Sequence, residues 1–326
     1  MAWEFTGKRQ RREIVCKTSY TRYLMLAPYS ETIRKNEMAT PSHKYEYQID
    51  LNSDHVGLKI LRMVGRDKRV LELGSGPGSI TRLLKDQGCC ITALELDKQA
   101  IEIVSQYCER VLPCDLNTPD WASSVVEYGK FQVIVAADVL EHLYDPWATL
   151  RAMTNFLDED GYLIVSLPHI GHNAVFACLM EADFAYQDWG LLDRTHIRFF
   201  GIRNIQQLFS DADLKIIEAE FVVKSPEQTE FADRWRRVPS ALKNSLKGNR
   251  FGLVYQVVIK AKPITAPEKG IELSSLSVTV PEFSFPPGMP LGRRIFHRLK
   301  GTLLPYLSLK NRTRLAHFLD RIGFKL

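Results

Sequence analysis

What the chain lacks narrows its class first. No run approaches the roughly 18 consecutive apolar residues of a bilayer-spanning helix, so no membrane span is expected. Behind the N-terminal basic residues Lys8, Arg9, Arg11 and Arg12 there is no apolar stretch of the kind a secretory leader carries. The six cysteines (Cys16, Cys89, Cys90, Cys108, Cys114 and Cys178) make no C-x-x-C pair and no Cys/His metal spacing. Reduced, structural thiols in a cytoplasmic protein are expected. Internal repeats and low-complexity tracts are absent too. At 45% hydrophobic, 25% charged and 10% aromatic residues, the 326 residues have ordinary globular composition, with length for about two domains.

A surplus of positive charge is lacking outside the C-terminus. From Phe285 to Leu326, nine Lys/Arg face one acid, Asp320, a surplus of eight. With +5 over the whole chain, residues 1–284 carry −3. A slightly acidic body with a strongly basic tail is not the pattern of a nucleic-acid binder, and no nucleic-acid partner is expected.

Residues 1–43 are polar and basic with weak periodicity, and read as an arm or lid ahead of a domain spanning 44–262. A helix is predicted from Asp54 towards Val64, with Leu58, Leu61 and Val64 on one face. From Arg69 strands and helices alternate: strand Val70–Leu73, helix Ile80–Asp86, strand Cys90–Leu94, helix Ala100–Cys108, strands Arg110–Leu112 and Phe131–Ala136, helix Trp147–Phe156 and strand Gly161–Leu167. This alternation predicts an α/β fold with a parallel sheet and right-handed crossovers. The pattern breaks after Pro168. Residues 169–200 mix aromatics, histidines and charges, and read as an insertion after the fifth strand, over the sheet's C-terminal edge. A helix at Asn204–Ser210 and strands at Leu214–Val223 and Phe251–Ala261 follow, with a basic helical stretch around Phe231–Lys247 between the strands. Six prolines within 263–290 (Pro263, Pro267, Pro281, Pro286, Pro287 and Pro290) predict a linker, and 291–326 form the basic tail.

Glu72-Leu-Gly74-Ser-Gly76-Pro-Gly78 follows the first strand and opens a helix. Glycines there let backbone N–H groups approach a ligand at the helix's positive end. Glu95 ends the next strand, 17 residues beyond Gly78, where a carboxylate can accept both ribose hydroxyl protons. The dinucleotide fingerprint G-x-G-x-x-G would need glycine at position 79, which is Ser79. The spacing is instead E-x-G-x-G-x-G, with an acid inside the turn. Glu72 would repel a pyrophosphate but can serve an ammonium group, directly or through water. Charge therefore favours S-adenosylmethionine over a dinucleotide.

The segment from about Tyr45 to Lys262 resembles a class I S-adenosylmethionine-dependent methyltransferase, in particular the branch with ubiquinone-biosynthesis O-methyltransferases and methyltransferases of bacterial surface-polysaccharide clusters. The resemblance rests on Val70-Leu-Glu-Leu-Gly-Ser-Gly-Pro-Gly78, Thr92-Ala-Leu-Glu-Leu-Asp97, Cys114-Asp115, Asp138-Val-Leu-Glu-His142 and Asp193-Arg-Thr-His-Ile-Arg-Phe-Phe200. It implies a seven-stranded, doubly wound, Rossmann-like sheet whose last strand inserts antiparallel. It also implies Asp115 beside the adenine and the Ala137–Asp138 backbone beside the methionine. The expected cofactor set is thus Glu72, Gly74, Gly76, Gly78, Glu95, Asp115 and Asp138.

On the acceptor side, Asp138, Glu141 and His142 have i, i+3, i+4 spacing after a strand. On a helical turn they would share one face, and two carboxylates with an imidazole can hold Mg²⁺, Mn²⁺ or Zn²⁺ with positions left open. In the ubiquinone-pathway enzymes the chain resembles, a comparable acid-x-x-Glu-His cluster is associated with a divalent metal. Such an ion would bind vicinal acceptor hydroxyls and lower the pKa of the attacking one. The same spacing also fits a helix start, with Asp138 as N-cap, Glu141 completing a capping box and His142 on the surface. His169, His172 and His196 fall in or beside the insertion, and imidazole suits proton removal from a hydroxyl. His196, His169 and Asp193 are the candidate catalytic residues, with Arg194 and Arg198 at hand for an anionic or sugar group. Alternatively, Arg194, His196 and Arg198 pin an extended segment to the core. Tyr45 and Tyr47 are lid candidates.

The expected activity is O-methylation of a hydroxyl on a sugar or lipid-linked surface-glycan intermediate, by in-line attack on the sulfonium methyl. A phenolic or quinone-precursor acceptor is the alternative, which Phe176, Phe184, Tyr186 and Trp189 would suit; a non-catalytic cofactor-binding partner protein is another. Methylation of an amide or adenine nitrogen is disfavoured, because the Asn/Asp-Pro-Pro-Tyr/Phe sequence after the fourth strand is replaced by Asp138-Val-Leu. In the tail, Leu291, Ile295, Leu299 and Leu303, then Leu315, Phe318, Leu319 and Ile322, recur at helical spacing beside basic residues, with Pro305 between. Two basic amphipathic helices on an anionic membrane surface, at the inner face of the cytoplasmic membrane, are expected. Packing on the domain or a homodimer contact is the other use of such helices.

Overall fold

A computed structural model of the protein describes residues 43–47, 49 and 54–279. Among them seven strands form one sheet: β1 (Arg69–Leu73), β2 (Cys90–Glu95), β3 (Arg110–Pro113), β4 (Phe131–Ala137), β5 (Leu157–Pro168), β6 (Leu214–Val223) and β7 (Val254–Pro263). Their spatial order is β3-β2-β1-β4-β5-β7-β6. The first five run parallel, and β7 inserts antiparallel between β5 and β6. This is the doubly wound sheet the sequence predicts. The helices are α1 (Val56–Val64), α2 (Thr81–Asp86), α3 (Lys98–Val104), α4 (Trp121–Val125), α5 (Pro146–Thr154), α6 (Asn173–Met180), α7 (Ile202–Ser210), α8 (Ala232–Arg237) and α9 (Ser240–Leu246).

Alternation of side chains along the strands divides the core in two. Val70, Val133, Val135 and Ile164 meet Val56, Ile60 and Val64 of α1 and Leu84 of α2 on one face. Leu71, Leu73, Ile134 and Val165 meet Leu150 of α5 and Ile205 and Phe209 of α7 on the other. With both faces covered, β4 is a nearly unbroken apolar run, and β1 is apolar between its ends except for Glu72.

Helix boundaries move where caps dictate. α3 starts at Lys98 because Asp97 accepts the Ala100 N–H at 2.8 Å, and α5 starts at Pro146 behind the Asp145 cap. α4, with only five residues, is too short to show a periodicity and was not predicted. The basic stretch around Phe231–Lys247 is two helices, because Val238 precedes Pro239 and takes extended backbone. The expected insertion contains α6 and its own small core, in which Ala174, Val175, Cys178, Leu191 and Leu192 pack with Phe231 and Tyr255.

The stretch expected as a linker from 263 differs from that reading over its described part. Ile271 donates its N–H to the Ile216 carbonyl at 2.7 Å, Leu273 donates to Gln206 Oε1 at 2.9 Å, and the Leu273 side chain is buried. Prolines here shape a segment laid along β6 and α7. The rest of the linker, the arm up to residue 42 and the basic tail lie outside the described residues. Cys89, Cys90, Cys108, Cys114 and Cys178 are free thiols. No helix among the described residues is long and apolar enough to cross a membrane.

Two helices are capped by histidine. Gly57 N–H donates to His55 Nδ1 at 3.0 Å at the start of α1, and Ala174 N–H donates to His172 Nδ1 at 3.1 Å at the start of α6. The opposite nitrogen of His172, Nε2–H, donates to the Lys224 carbonyl at 2.9 Å. One acceptor and one donor require the neutral ring, and burial lowers its pKa from 6.5 to about 4. Between those two values only the unfolded chain takes the proton. The stabilisation is therefore complete above pH 6.5 and lost as pH falls, at about 1.4 kcal/mol per unit. Asn can keep the cap without titrating. Between pH 7 and pH 5 the wild type should lose about 2 kcal/mol more unfolding free energy than His172→Asn, read from denaturant curves; parallel losses would show that His172 does not titrate in this way.

Candidate active site

Strand order reverses at β1, which pairs with β2 on one side and β4 on the other. Ligands of open α/β sheets bind outside the carboxyl ends of the strands at such a switch point. At or just past the ends of β3, β2, β1, β4 and β5 come Asp115, Glu95, Gly74, Asp138 and His169 in spatial order.

Gly74, Gly76 and Gly78 have φ of 62°, 53° and 85°, a region that side chains with a Cβ resist. Two of them also serve packing. A Cβ on Gly74 would stand 2.8 Å from Val139, and one on Gly78 2.9 Å from Val104. At Gly76 a Cβ would meet nothing within 4 Å, so this glycine faces the open side of the turn. Glu95 holds the turn in place: its Oε2 accepts the Gly76 N–H at 2.7 Å, and its Oε1 accepts those of Leu96 and Asp97 at 2.8 and 2.9 Å. Oε1 is thereby saturated, and Oε2 keeps one acceptor direction. Glu72 is buried and accepts the Thr81 hydroxyl at 2.8 Å, tying β1 to α2. Burial, reinforced by the charge of Glu95, raises its pKa to about 7. Asp115 receives the Asn117 N–H at 2.9 Å and shapes the turn after β3.

The acceptor side departs from the expected triad. Asp138 has left-handed backbone, φ 53°, so the chain does not turn helically from it. Its carboxylate points back into the sheet, where Oδ1 accepts the Ser166 hydroxyl and Oδ2 the Gln256 amide, both at 2.7 Å. Asp138 therefore joins no metal triad with Glu141 and His142. It is no N-cap either: the following 3₁₀ turn, Leu140–His142, has Val139 in that place and no side-chain cap. The structure instead groups Glu141 and His142 with His196, with donor atoms within 4.8 Å of one another.

The other two catalytic candidates have internal work. His169 is 4% exposed, with Nδ1 buried and without a partner, and burial lowers its pKa to about 4; no acceptor can reach that nitrogen. Asp193, 1% exposed, accepts the Thr195 N–H at 2.9 Å and hydroxyl at 2.7 Å and stands 3.4 Å from Lys44. It shapes the turn that presents His196, whose N–H donates to the Asp193 carbonyl at 3.0 Å. Arg194 pairs with Asp188 at 2.8 Å, and Arg198 donates to the Tyr144 carbonyl at 2.6 Å. Tyr45 and Tyr47 lie in a segment touching both halves of the site: Tyr47 N–H donates to Ser79 at 3.1 Å, and the Tyr45 hydroxyl is 3.5 Å from Thr195 Oγ1. Burial, with the charges of Asp138 and Glu72, raises the Tyr47 pKa.

Sequence reasoning missed Ser166, Gln256, Thr81 and Lys44. Ser166 and Gln256 did carry a signal, each a lone polar residue inside an apolar strand.

A doubly wound sheet with a reversed final hairpin, a glycine-rich turn after β1 and an acid ending β2 defines the Rossmann-like methyltransferase class. The chain belongs to the methyltransferase-domain family, whose profile matches residues 46–219. It is similar to a ubiquinone biosynthesis O-methyltransferase from Glaesserella parasuis, 24% identical over 123 residues, 36% of this chain and 52% of that protein. A ribosomal RNA small subunit methyltransferase A from Brucella canis is 37% identical over 84 residues, 25% of this chain and 29% of that protein. The chain spans about half the length of the first relative and less than a third of the second. Among solved structures it is similar to a TehB-like S-adenosylmethionine-dependent methyltransferase from Corynebacterium glutamicum (17% identity, 66% of this chain, 89% of that chain, TM-score 0.40).

Gly76 gives the sharpest test of the turn. Valine there would place a β-branched side chain at φ 53° on the open side, with strain of about 1–3 kcal/mol and little core disturbance. Gly76→Val should fold with a melting temperature a few degrees lower and bind S-adenosylmethionine at least tenfold more weakly. Calorimetry giving an unchanged affinity in a folded Gly76→Val protein would remove the turn from the cofactor site.

Proposed function

We propose that the protein is an S-adenosylmethionine-dependent O-methyltransferase acting on a hydroxyl of a sugar or glycan intermediate. The observation that carries this reading is the half-buried imidazole of His142, beside the β4 end. Its Nδ1 lies 3.2 Å from the Thr195 carbonyl and burial lowers its pKa, so the ring is neutral and can take a hydroxyl proton at neutral pH. The donor methyl is already activated as a sulfonium. The protein therefore has two tasks, alignment and proton removal.

For alignment, the turn N–H groups, Glu72 and the remaining Oε2 direction of Glu95 are the groups proposed to hold the cofactor. That geometry suits one ribose hydroxyl on Glu95 rather than two. Asp115 is the proposed neighbour of the adenine. Asp138 contributes its backbone, because its carboxylate is fully engaged. Lys44, Thr195 and the Tyr45 hydroxyl make a polar rim beside His142 and His196, which supports a polyhydroxylated acceptor over a nucleic acid.

A phenolic acceptor is the second reading. Phe184 packs edge-to-face on Tyr186 at 5.1 Å and on Phe199 at 5.3 Å, and Phe199 reaches the His196 ring at 6.3 Å. The ubiquinone-biosynthesis relative points the same way.

Labelled methyl transfer to parallel panels of sugar nucleotides, lipid-linked sugars and catechols separates the readings. Label should appear on sugar hydroxyls; transfer to catechols alone would replace the glycan reading with the phenolic one. His142→Ala should lower kcat about 100-fold or more, as for loss of a general base, with cofactor affinity unchanged. Wild-type kcat/KM should fall only on the acid side, with a midpoint below the ordinary imidazole value of 6.5, because burial holds His142 below it. A midpoint at or above that value would exclude His142 as the group that titrates.

The basic segment 291–326 is proposed to rest on an anionic membrane, bringing the site to a lipid-linked acceptor. Full-length protein should then pellet with anionic vesicles at low salt and a version ending near Pro281 should not; equal behaviour of the two would rule out the anchor.

A further inference from the structure

We infer that Lys224 binds a phosphate group of the acceptor, which makes the substrate class a glycosyl phosphate rather than a neutral sugar. The inference rests on the sugar-hydroxyl reading above and narrows it. β6 runs parallel to β5, since each pairs antiparallel with β7. Residues just past its end therefore lie on the same sheet edge as Asp138 and His169. Lys224 directly follows β6. Its backbone is fixed on both sides: its N–H donates to the Leu253 carbonyl at 3.0 Å, and its carbonyl accepts His172 Nε2–H at 2.9 Å.

The half-buried ammonium has no counter-ion. Its Nζ lies 3.7 Å from the centre of the Tyr255 ring, and among the described residues no carboxylate stands within ion-pair distance and no oxygen accepts a hydrogen bond from it. The acids around it are already engaged. Glu230 accepts the Leu191 N–H at 2.6 Å on one oxygen and the Tyr255 hydroxyl at 3.0 Å on the other. Asp138 is taken by Ser166 and Gln256, and Asp54 by Lys59 and the Val223 N–H. Lys59 of α1, by contrast, has both Asp54 at 2.5 Å and Glu220 at 3.3 Å. Burial lowers the Lys224 pKa, and the charges of Glu230 and Asp138 only partly offset that. An aromatic face does not replace an anion beside a cation drawn out of water.

Its surroundings connect this cation to the acceptor side. Lys224 and Asp138 act on each other's charge. Tyr47, which feels Asp138 and Glu72, packs on the His55 ring at 5.3 Å, and His55 feels Lys224. His55 Nδ1 accepts the Gly57 N–H, so the neutral ring carries its proton on Nε2 and is no competing cation. At about 4.8 Å between strands, the ends of β4 and β6 stand three spacings apart in the order β4-β5-β7-β6. Asp138 already reaches Gln256 on β7. A sugar ring with its reacting hydroxyl at the β4 end and its phosphate towards β6 fits the remaining span. Lysine meets phosphate as a point charge with three donors, whereas the planar carboxylate of a uronic acid is better matched by a guanidinium fork.

The test compares acceptors that differ only in the phosphate. Full-length protein with S-adenosylhomocysteine is titrated calorimetrically with hexose 1-phosphates, uridine diphosphate hexoses and polyprenyl-phosphate hexoses, each beside the free hexose and its uronic acid. Phosphorylated members should bind at least tenfold more tightly than the free sugars; whether the nucleotide or the lipid-linked form binds best identifies the source of the phosphate. Lys224→Met and Lys224→Gln should lose that preference, Lys224→Arg should keep most of it, and Lys243→Met, on α9, should change nothing. In labelled methyl transfer, Lys224→Met should raise KM for phosphorylated acceptors at least tenfold with kcat nearly unchanged. Circular dichroism identifies an unfolded variant, and the wild-type comparison needs none. Equal binding of free and phosphorylated sugars, a preference for uronic acids, or an undiminished phosphate preference in a folded Lys224→Met protein would each overturn the inference. Label on free and phosphorylated sugars alike would overturn it while leaving sugar O-methylation standing. Label on catechols alone would instead defeat the sugar reading on which it rests.

Discussion

The left-handed backbone at Asp138 is the constraint on which the acceptor half of the site depends. A residue with φ 53° directly after β4 swings the chain out of the strand direction within one peptide. Asp is among the few residues with a Cβ that tolerate this region. Its carboxylate then fastens β4 to Ser166 of β5 and Gln256 of β7, and its N–H donates to the Ser166 hydroxyl at 3.0 Å. Burial favours the neutral acid, while the Ser166 and Gln256 donors favour the carboxylate. With this clamp in place, the next turn carries Glu141 and His142 towards the 193–198 segment instead of along the sheet edge. A conformation that strains one residue thus sets the position of the whole cluster.

The cofactor half rests on a different device. There the strands supply the geometry and the glycines only permit it. Gly74 and Ser75 both donate to the Leu94 carbonyl, at 2.8 and 3.3 Å, so the turn is stitched to the neighbouring strand. Glu95 then closes it through Gly76. An acid at the end of β2 therefore has a structural task before any ligand arrives. The same holds for Glu72, which ties β1 to α2 through Thr81. Residues that look ligand-directed in a motif are here also the fasteners of the frame that would receive the ligand.

This division explains what could be read from the sequence. The sheet and its glycine turn were legible because they depend on short-range patterns: apolar strands, Gly at positive φ, an acid at fixed distance. The acceptor cluster was not, because its membership depends on one backbone torsion. The i, i+3, i+4 spacing of Asp138, Glu141 and His142 presupposes a helical turn, and φ 53° at Asp138 breaks that premise. His196, 54 positions beyond His142, stands with Glu141 and His142 where Asp138 was expected, a partnership no local spacing encodes. His169 failed as a catalytic candidate for a related reason: burial, which sequence position does not show, leaves its free nitrogen unreachable. The linker reading failed because proline counts report stiffness, whereas Leu273 is held by burial and by Gln206.

The two halves are also linked to one another, through a segment only a few residues long. His43 stands 3.5 Å from Asp97, which caps α3 on the cofactor side, and Tyr47 N–H reaches Ser79 at the start of α2. Between them Lys44 reaches Asp193 and Tyr45 reaches Thr195, on the acceptor side. Thr195 in turn supplies the carbonyl that fixes the His142 tautomer. Displacing residues 43–47 would therefore disturb both the entrance beside the glycine turn and the turn that orients His142. The contacts are few and partly exposed, so each is worth little alone. Their arrangement matters more than their strength, because one short segment touches the starts of α2 and α3 on one side and the 193–195 turn on the other. Such a bridge gives the donor and acceptor sides a common boundary, which transfer between two bound molecules requires.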